Sequence, residues 1–133
     1  MANAIYPKAK EQFLQGGINL SSADVRFILV DTADYTYSAA HQFLSDVPAP
    51  ARVAVTAAGV GSKTFTNGQF DAADVTWAAV TGDVSEAIIG YVHTGNDATA
   101  RLIFYQDTGV AGLPVTPNGG DITLTFGAYI FQL

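Results

Sequence analysis

The chain has 133 residues, of which 49% are hydrophobic and only 14% charged, a composition that argues for a packed domain and against a disordered segment. Its net charge of −6 argues against nucleic acid or an anionic membrane as a partner, because both are held by basic side chains that neutralise phosphate groups. The absence of cysteine excludes a disulfide framework and a thiolate metal site.

The first predicted element is a helix over residues 3–15. Asn3 is a candidate N-cap, and Gly16 with Gly17 forms a candidate C-cap. The apolar stripe of this helix consists of Ala9, Phe13 and Leu14. Lysines interrupt the segment, so it matches neither a signal peptide nor a membrane span, and we expect the protein to remain in the compartment where it is made.

From residue 24 onward the hydrophobic period changes from that of a helix to that of strands. Val25–Val30 is a nearly continuous apolar run, typical of a strand buried on both faces. Further strands are predicted at 52–56, 74–79, 87–92, 102–105, 122–126 and 129–131, and one helical turn at 38–44. Gly, Asn, Asp and Pro residues separate these runs in turns. The sequence therefore predicts one domain, 1–133, in which an N-terminal helix or arm (1–17) precedes an all-β fold (24–133), a β-sandwich or jelly-roll-like domain.

The residue types that carry catalysis or bind metals show no motif spacing. His41 and His93 lie in neither a nucleophile elbow nor a metal-binding pair. Two close acidic pairs do not follow the calcium-loop pattern, and ordinary turns explain them. These pairs are Asp71 with Asp74 and Asp83 with Glu86. We therefore expect a protein that is not an enzyme and has no catalytic residue, no metal and no cofactor.

Three stretches carry a resemblance to a known family: YPKAKEQFLQGGINL, VRFILVDTADYTYSAAHQFLSDVP with the following ARVA, and RLIFYQDTGVAGLPVTPNGGDITLTF. In these stretches and their order, the chain resembles a family of small virion proteins of tailed bacteriophages. The resemblance covers nearly the whole chain, and none of its motifs is a catalytic signature. It implies a structural component of the particle, either a capsid decoration (cement) protein or a tail accessory protein.

Of these roles we expect the decoration protein, made in the host cytoplasm and located on the capsid surface of the virion. The negative charge suits the outside of a particle, since a protein lining the packaged genome would gain from positive charge. The expected partners are the major capsid protein and further copies of the chain, as a homotrimer whose symmetry matches three-fold junctions of a shell. The alternatives are a tail accessory protein and a receptor- or carbohydrate-binding β-sandwich that uses Tyr35, Tyr37 and loop 95–99.

The N-terminal segment is the expected partner-binding site. It combines apolar side chains with two of the six basic residues, which complement an acidic shell surface. The candidate residues are Ile5, Tyr6, Lys8, Lys10, Phe13 and Leu14. The competing interpretation is that the helix only covers an open end of the sandwich, which is a common use of a helix at a sheet edge.

Overall fold

A computed structural model describes residues 3–133 as a β-rich chain with one short α-helix, which confirms the predicted dominance of strands. In chain order the elements are β1 (Ala4–Ile5), α1 (Pro7–Gln15), β2 (Val25–Val30), β3 (Arg52–Val55), β4 (Gln69–Phe70), β5 (Val75–Trp77), β6 (Ala87–Val92), β7 (Leu102–Gln106), β8 (Ile122–Leu124) and β9 (Phe131–Gln132). Short 3₁₀ turns lie at Leu44–Asp46, Ala49–Ala51 and Thr66–Gly68. Within residues 3–133 the single α-helix has nine residues, too few to span a membrane.

Five strands form one antiparallel sheet in the order β1-β7-β6-β2-β3. β2 and β6 pair along their whole length, from Val25 opposite Val92 to Val30 opposite Ala87. The bounds of both strands agree with the prediction because a nearly continuous apolar run suits a strand that is covered on both faces. The other strands form two antiparallel ribbons, β4 with β9 and β5 with β8.

The two faces of the five-stranded sheet carry different aromatic residues. On one face, α1 and residues between 35 and 51 cover a cluster rich in tyrosine; on the other, the two ribbons cover a cluster of phenylalanines with one tryptophan. The buried tyrosines are Tyr6, Tyr35, Tyr91 and Tyr105, and the buried rings opposite are Phe27, Phe70, Phe104, Phe131 and Trp77. The tyrosine face therefore contains hydroxyl groups that need hydrogen-bond partners. Among the buried rings of the phenylalanine face only that of Trp77 carries a polar group, its indole N–H, which donates to the Phe27 carbonyl at 3.2 Å.

Gly90, in the centre of β6, shows why a glycine interrupts an otherwise apolar strand. A Cβ atom at this position would overlap the Phe104 ring, which crosses the strand there. The register between β6 and β7 shifts beside Gly90, and the Phe104 ring packs edge-on against Phe27 with centroids 5.7 Å apart. The glycine is therefore needed for the close approach of a ring to the sheet.

The helix begins later than the sequence predicts. Residues 4 and 5 form the edge strand β1 instead, and α1 starts at Pro7, whose missing N–H needs no partner in a first turn. Asn3 does not cap the helix, because its side-chain oxygen accepts the N–H groups of Asp107 and Thr108 and so holds the loop after β7. The predicted end is confirmed, since Gly16 follows the helix in the left-handed conformation with φ 75°.

Several predicted elements extend beyond the residues that pair. β8 ends at Leu124 rather than at 126, and β9 starts at Phe131 rather than at 129. The helical turn predicted at 38–44 lies later, as the 3₁₀ turn that starts at Leu44. For the two strands the apolar pattern continues beyond the paired residues, so periodicity alone predicts strands that are too long.

Candidate docking surface

The six candidate residues of the N-terminal segment do not lie on one surface. Tyr6 is fully buried, so this side chain has no surface to offer a partner. Ile5 and Phe13 are partly buried and pack against both apolar clusters. Lys10 and Leu14 are exposed, and Leu14 has 90% of its surface open to solvent. The predicted helical stripe is thus divided between an inner and an outer side.

A short chain of hydrogen bonds holds the inner side of this segment. The hydroxyl oxygens of Tyr6 and Tyr35 lie 2.7 Å apart, and the Tyr35 hydroxyl lies 2.7 Å from Nδ1 of His41. Burial, together with the neighbouring Tyr35, raises the pKa of Tyr6 well above its ordinary value. Burial also raises the pKa of Tyr35 and of Tyr105 to about 12. These hydroxyls are therefore neutral, hydrogen-bonding parts of the core.

Four of the six basic side chains have partners within the protein, three of them carboxylates and one a pair of backbone carbonyls. Nitrogen–oxygen distances are 3.2 Å for Lys8 with Glu11, 3.1 Å for Arg26 with Asp24 and 2.7 Å for Arg52 with Asp97. Lys63 donates to the carbonyl oxygens of Leu20 and Ala23. Within residues 3–133, only Lys10 and Arg101 have neither an ion pair nor a side-chain hydrogen bond. Lys8, a candidate residue, thus has its charge offset one helical turn away.

Exposed apolar side chains gather around α1. Of the six large apolar residues that are exposed in the described part of the chain, four lie on the helix or line the depressions beside it. These four are Leu14, Phe65, Tyr129 and Leu133. Together with Lys10 they form what we call the α1 surface. The remaining two, Val55 and Val84, line neither depression.

Two depressions flank the helix. The first, of about 580 Å³, lies between β1, the start of α1 and the C-terminal segment, and its lining includes Lys10 and Tyr129. The second, of about 400 Å³, is mainly apolar and is lined by Phe13, Phe65 and Leu133 among others. Both are shallow. Shallow depressions of this kind accept the side chains of a protein partner, whereas small molecules usually bind in deeper pockets that enclose them.

The residue types that carry catalysis are not assembled into a catalytic group. Within residues 3–133, neither histidine ring hydrogen bonds to a serine or a carboxylate, and Nδ1 of His41 is occupied by Tyr35. Glu86 does not form a carboxylate pair with Asp83, because the Glu86 carboxylate accepts hydrogen bonds from the backbone N–H and the hydroxyl of Thr32. The absence of enzyme activity stays a prediction.

The fold brings together one acidic cluster that the spacing of the acidic residues in the sequence does not predict. Carboxylate oxygens of Asp31, Asp34 and Asp83 lie within 4.8 Å of one another. Asp31 is buried and accepts the N–H of Ala33, whereas the other two are exposed. Carboxylates are ligands for hard cations, but exposed acidic groups also cluster in ordinary turns, so the geometry alone defines no metal site.

The residues expected to serve a carbohydrate-binding role are occupied within the protein. Tyr35 is buried, and the Tyr37 ring packs 5.1 Å from Tyr6 and 5.7 Å from Tyr105 between centroids. In loop 95–99, Asp97 pairs with Arg52. These side chains therefore do not form the open aromatic platform on which a sugar ring stacks.

No family model matches the chain, and no curated protein matches its sequence. The resemblance to phage virion proteins therefore stays an expectation, and function is inferred from the residues themselves.

Proposed function

We propose that the chain is a capsid decoration (cement) protein of a tailed bacteriophage, which binds the outer face of the shell through the α1 surface. The observation that carries the proposal is the concentration of exposed apolar side chains and of Lys10, a cation without a partner in residues 3–133, around one helix of a protein whose net charge is −6. Exposed apolar groups that gather in one place, beside a complementary charge, are typical of protein–protein contact sites.

The buried inner side of α1 fixes the orientation of the α1 surface. Tyr6 and Ala9 are buried against the five-stranded sheet, so the helix cannot turn away without exposing them. Gly16 and Gly17 close its end by hydrogen bonds to the carbonyls of Phe13 and Gln12. A contact made by a preorganised element avoids the entropy cost of ordering a flexible arm, which favours binding.

The charge of the protein supports an outer location. A net charge of −6 would be repelled by packaged nucleic acid, whereas a cement protein never meets the genome. The major capsid protein is the partner that we propose, with binding only to the assembled shell. A protein that binds only that state stabilises it by mass action and so opposes internal pressure from the genome.

Two finer features belong to the same proposal. The first is a β-sandwich architecture, supported by the apolar cluster that lies between the five-stranded sheet and the two ribbons. The second is a homotrimer, which places three α1 surfaces on a three-fold junction. Linking three weak contacts strengthens binding because the later contacts form within one complex.

Co-sedimentation with purified shells tests the proposal. Expanded shells of the encoding phage, prepared without this chain, are mixed with the full protein, with Leu14→Asp and with the matched control Val84→Asp. Leu14→Asp places a carboxylate at the most exposed apolar position of the α1 surface and should weaken binding about tenfold or more. Val84→Asp adds the same charge at a residue outside that surface and should bind normally.

Two outcomes would contradict the proposal. Failure of the unmodified chain to bind shells would refute the decoration role, and its binding to purified tails instead would favour the tail accessory role. Equal binding by Leu14→Asp and Val84→Asp would keep a decoration role but remove the α1 surface from it.

A further inference from the structure

We propose that the depression beside the end of α1 is a carboxylate-binding site whose cation is Arg101, and that an acidic side chain of the shell protein fills it. The chemistry of this contact depends on Arg101 and its surroundings, and only the identity of the partner rests on the proposed function. We call this depression, lined by Gly16, Asn19, Thr94, Thr99 and Arg101 among others, the Arg101 site.

Arg101 is held in place by its backbone and by one ring. The residue forms a β-bridge with Phe43, its carbonyl accepts the N–H of Val92, and its guanidinium lies 5.0 Å from the centroid of the Phe43 ring. A guanidinium over an aromatic face is attracted to it, and the ring limits the directions that the side chain can take. Arg101 is therefore oriented before any ligand arrives.

One nitrogen of this guanidinium is buried without a hydrogen-bond partner. Nη1 of Arg101 has lost its contact with water, and no described residue accepts its N–H groups. Leaving a buried donor unsatisfied is costly, and for a charged donor the cost is larger than for a neutral one. Nη1 itself is closed to a ligand, so an incoming acceptor meets the other two guanidinium nitrogens, Nε and Nη2, which also have no hydrogen-bond partner among the described residues.

The other two arginines show what is missing at Arg101. Arg26 donates from two nitrogens to both carboxylate oxygens of Asp24, each at 3.1 Å. Arg52 pairs with Asp97 and donates to the carbonyls of Leu44 and Val47. The chain thus gives its other guanidinium groups acidic partners from its own sequence. Within residues 3–133 Arg101 has none, although the protein has twelve acidic residues.

The walls of the Arg101 site are turns whose hydroxyl groups already donate hydrogen bonds to backbone carbonyls. The hydroxyls of Thr94 and Thr99 lie 2.7 Å apart, and both donate to the carbonyl of Asn96. On the opposite wall, the hydroxyl of Ser22 donates to the carbonyl of Asn19. The walls are therefore fixed, and the guanidinium is left to bind a ligand. A guanidinium pairs well with an anion that offers two acceptor oxygens, and a carboxylate is the group of a protein partner that provides them.

The site continues into the surface already proposed for docking. Its volume is about 320 Å³, and it shares Gly16, Ile18 and Asn19 with the apolar depression beside Phe13 and Leu133. A partner segment that fits both has an acidic residue next to apolar side chains. Arginine in a desolvated position beside apolar contacts is a frequent source of binding energy at interfaces.

The first experiment needs no shell. Sodium acetate is titrated into the isotope-labelled full protein and followed by NMR, with acetamide and sodium chloride as the neutral and ionic controls. We expect saturable shifts at the Arg101 side chain and at the Thr94 and Thr99 amides with acetate alone. The shifts should vanish in Arg101→Gln and persist in Arg26→Gln, the same substitution at an arginine that already has a carboxylate. Shifts that chloride reproduces, or that survive in Arg101→Gln, would overturn the site.

The second experiment measures shell binding of Arg101→Gln and Arg101→Lys. Arg101→Gln removes the charge and should weaken co-sedimentation about tenfold or more, whereas Arg101→Lys keeps the charge but loses the planar fork and should weaken it less. If Arg101→Gln does not fold, Arg101→Lys carries the test, and its normal binding would contradict the inference. Shell binding without any acetate effect would refute the site alone, whereas acetate binding without shell binding would refute the proposed function alone.

Discussion

The two sides of α1 differ in burial and in hydrogen bonding. On the inner side, Ala9 is buried together with Tyr6, the residue that precedes the helix, and the Tyr6 hydroxyl reaches His41 through Tyr35. On the outer side, Lys10 has no partner within residues 3–133, and Leu14 is almost fully exposed. The inner side has the properties of a core, in which side chains are covered and hydroxyls are bonded. The outer side has the properties of an interface before its partner arrives.

This difference reconciles the two interpretations of the N-terminal segment. We propose that one helix serves both purposes, with its inner side covering the sheet and its outer side binding the partner. Deleting the whole segment would remove Tyr6 and Ala9 from the core together with Leu14 from the surface, so loss of binding would not be informative. Single substitutions on one side at a time separate stability from binding.

The largest effect is expected on the inner side. Ala9→Glu would bury an unpaired carboxylate against the sheet and should lower the free energy of unfolding by about 3–5 kcal/mol. Lys10→Glu, the adjacent outer position, is the control and should change it by no more than about 0.5 kcal/mol. Urea denaturation followed by Trp77 fluorescence measures both. Equal losses in the two variants would mean that the helix is not divided as described.

A smaller effect should appear at alkaline pH. Tyr35 and Tyr105 have pKa values of about 12 in the folded protein against an ordinary value of 10.0, so the unfolded chain releases these protons first. Their contribution to stability is therefore complete below pH 10 and is lost as the pH rises towards 12. Urea midpoints measured at about pH 8, 10 and 11 test this, and Tyr35→Phe should show a shallower decline. A midpoint that does not fall as the pH passes the ordinary tyrosine pKa would contradict the buried hydroxyl chain.

The sequence predicts the sheet better than its edges. β2 and β6 are long apolar runs, and their bounds follow from composition and period alone. β1, β4 and β9 have two residues each, too few to show a period, and they exist because a neighbouring strand offers hydrogen bonds. Asn3 illustrates the same limit, since an asparagine before a proline-led helix suits a cap as well as it suits the loop that it holds.

The proposed docking surface follows from the sequence only in part. Lys10 and Leu14 are found from the sequence because they belong to an amphipathic helix, but the pattern does not tell which apolar residues face inward, so it does not separate Tyr6 from them. Phe65 and Leu133 join the surface through the fold, far from α1 in sequence. Arg101 is missed for a further reason: its importance lies in the absence of a carboxylate around it, which depends on contacts across the described chain.

Electron cryo-microscopy of intact virions tests the central claim most directly. We expect density for this chain on the outer face of the capsid, with Leu14 and the Arg101 site turned towards the major capsid protein and an acidic side chain of that protein at the guanidinium. Density confined to the tail, or a chain on the capsid whose α1 surface faces solvent, would contradict the proposed docking.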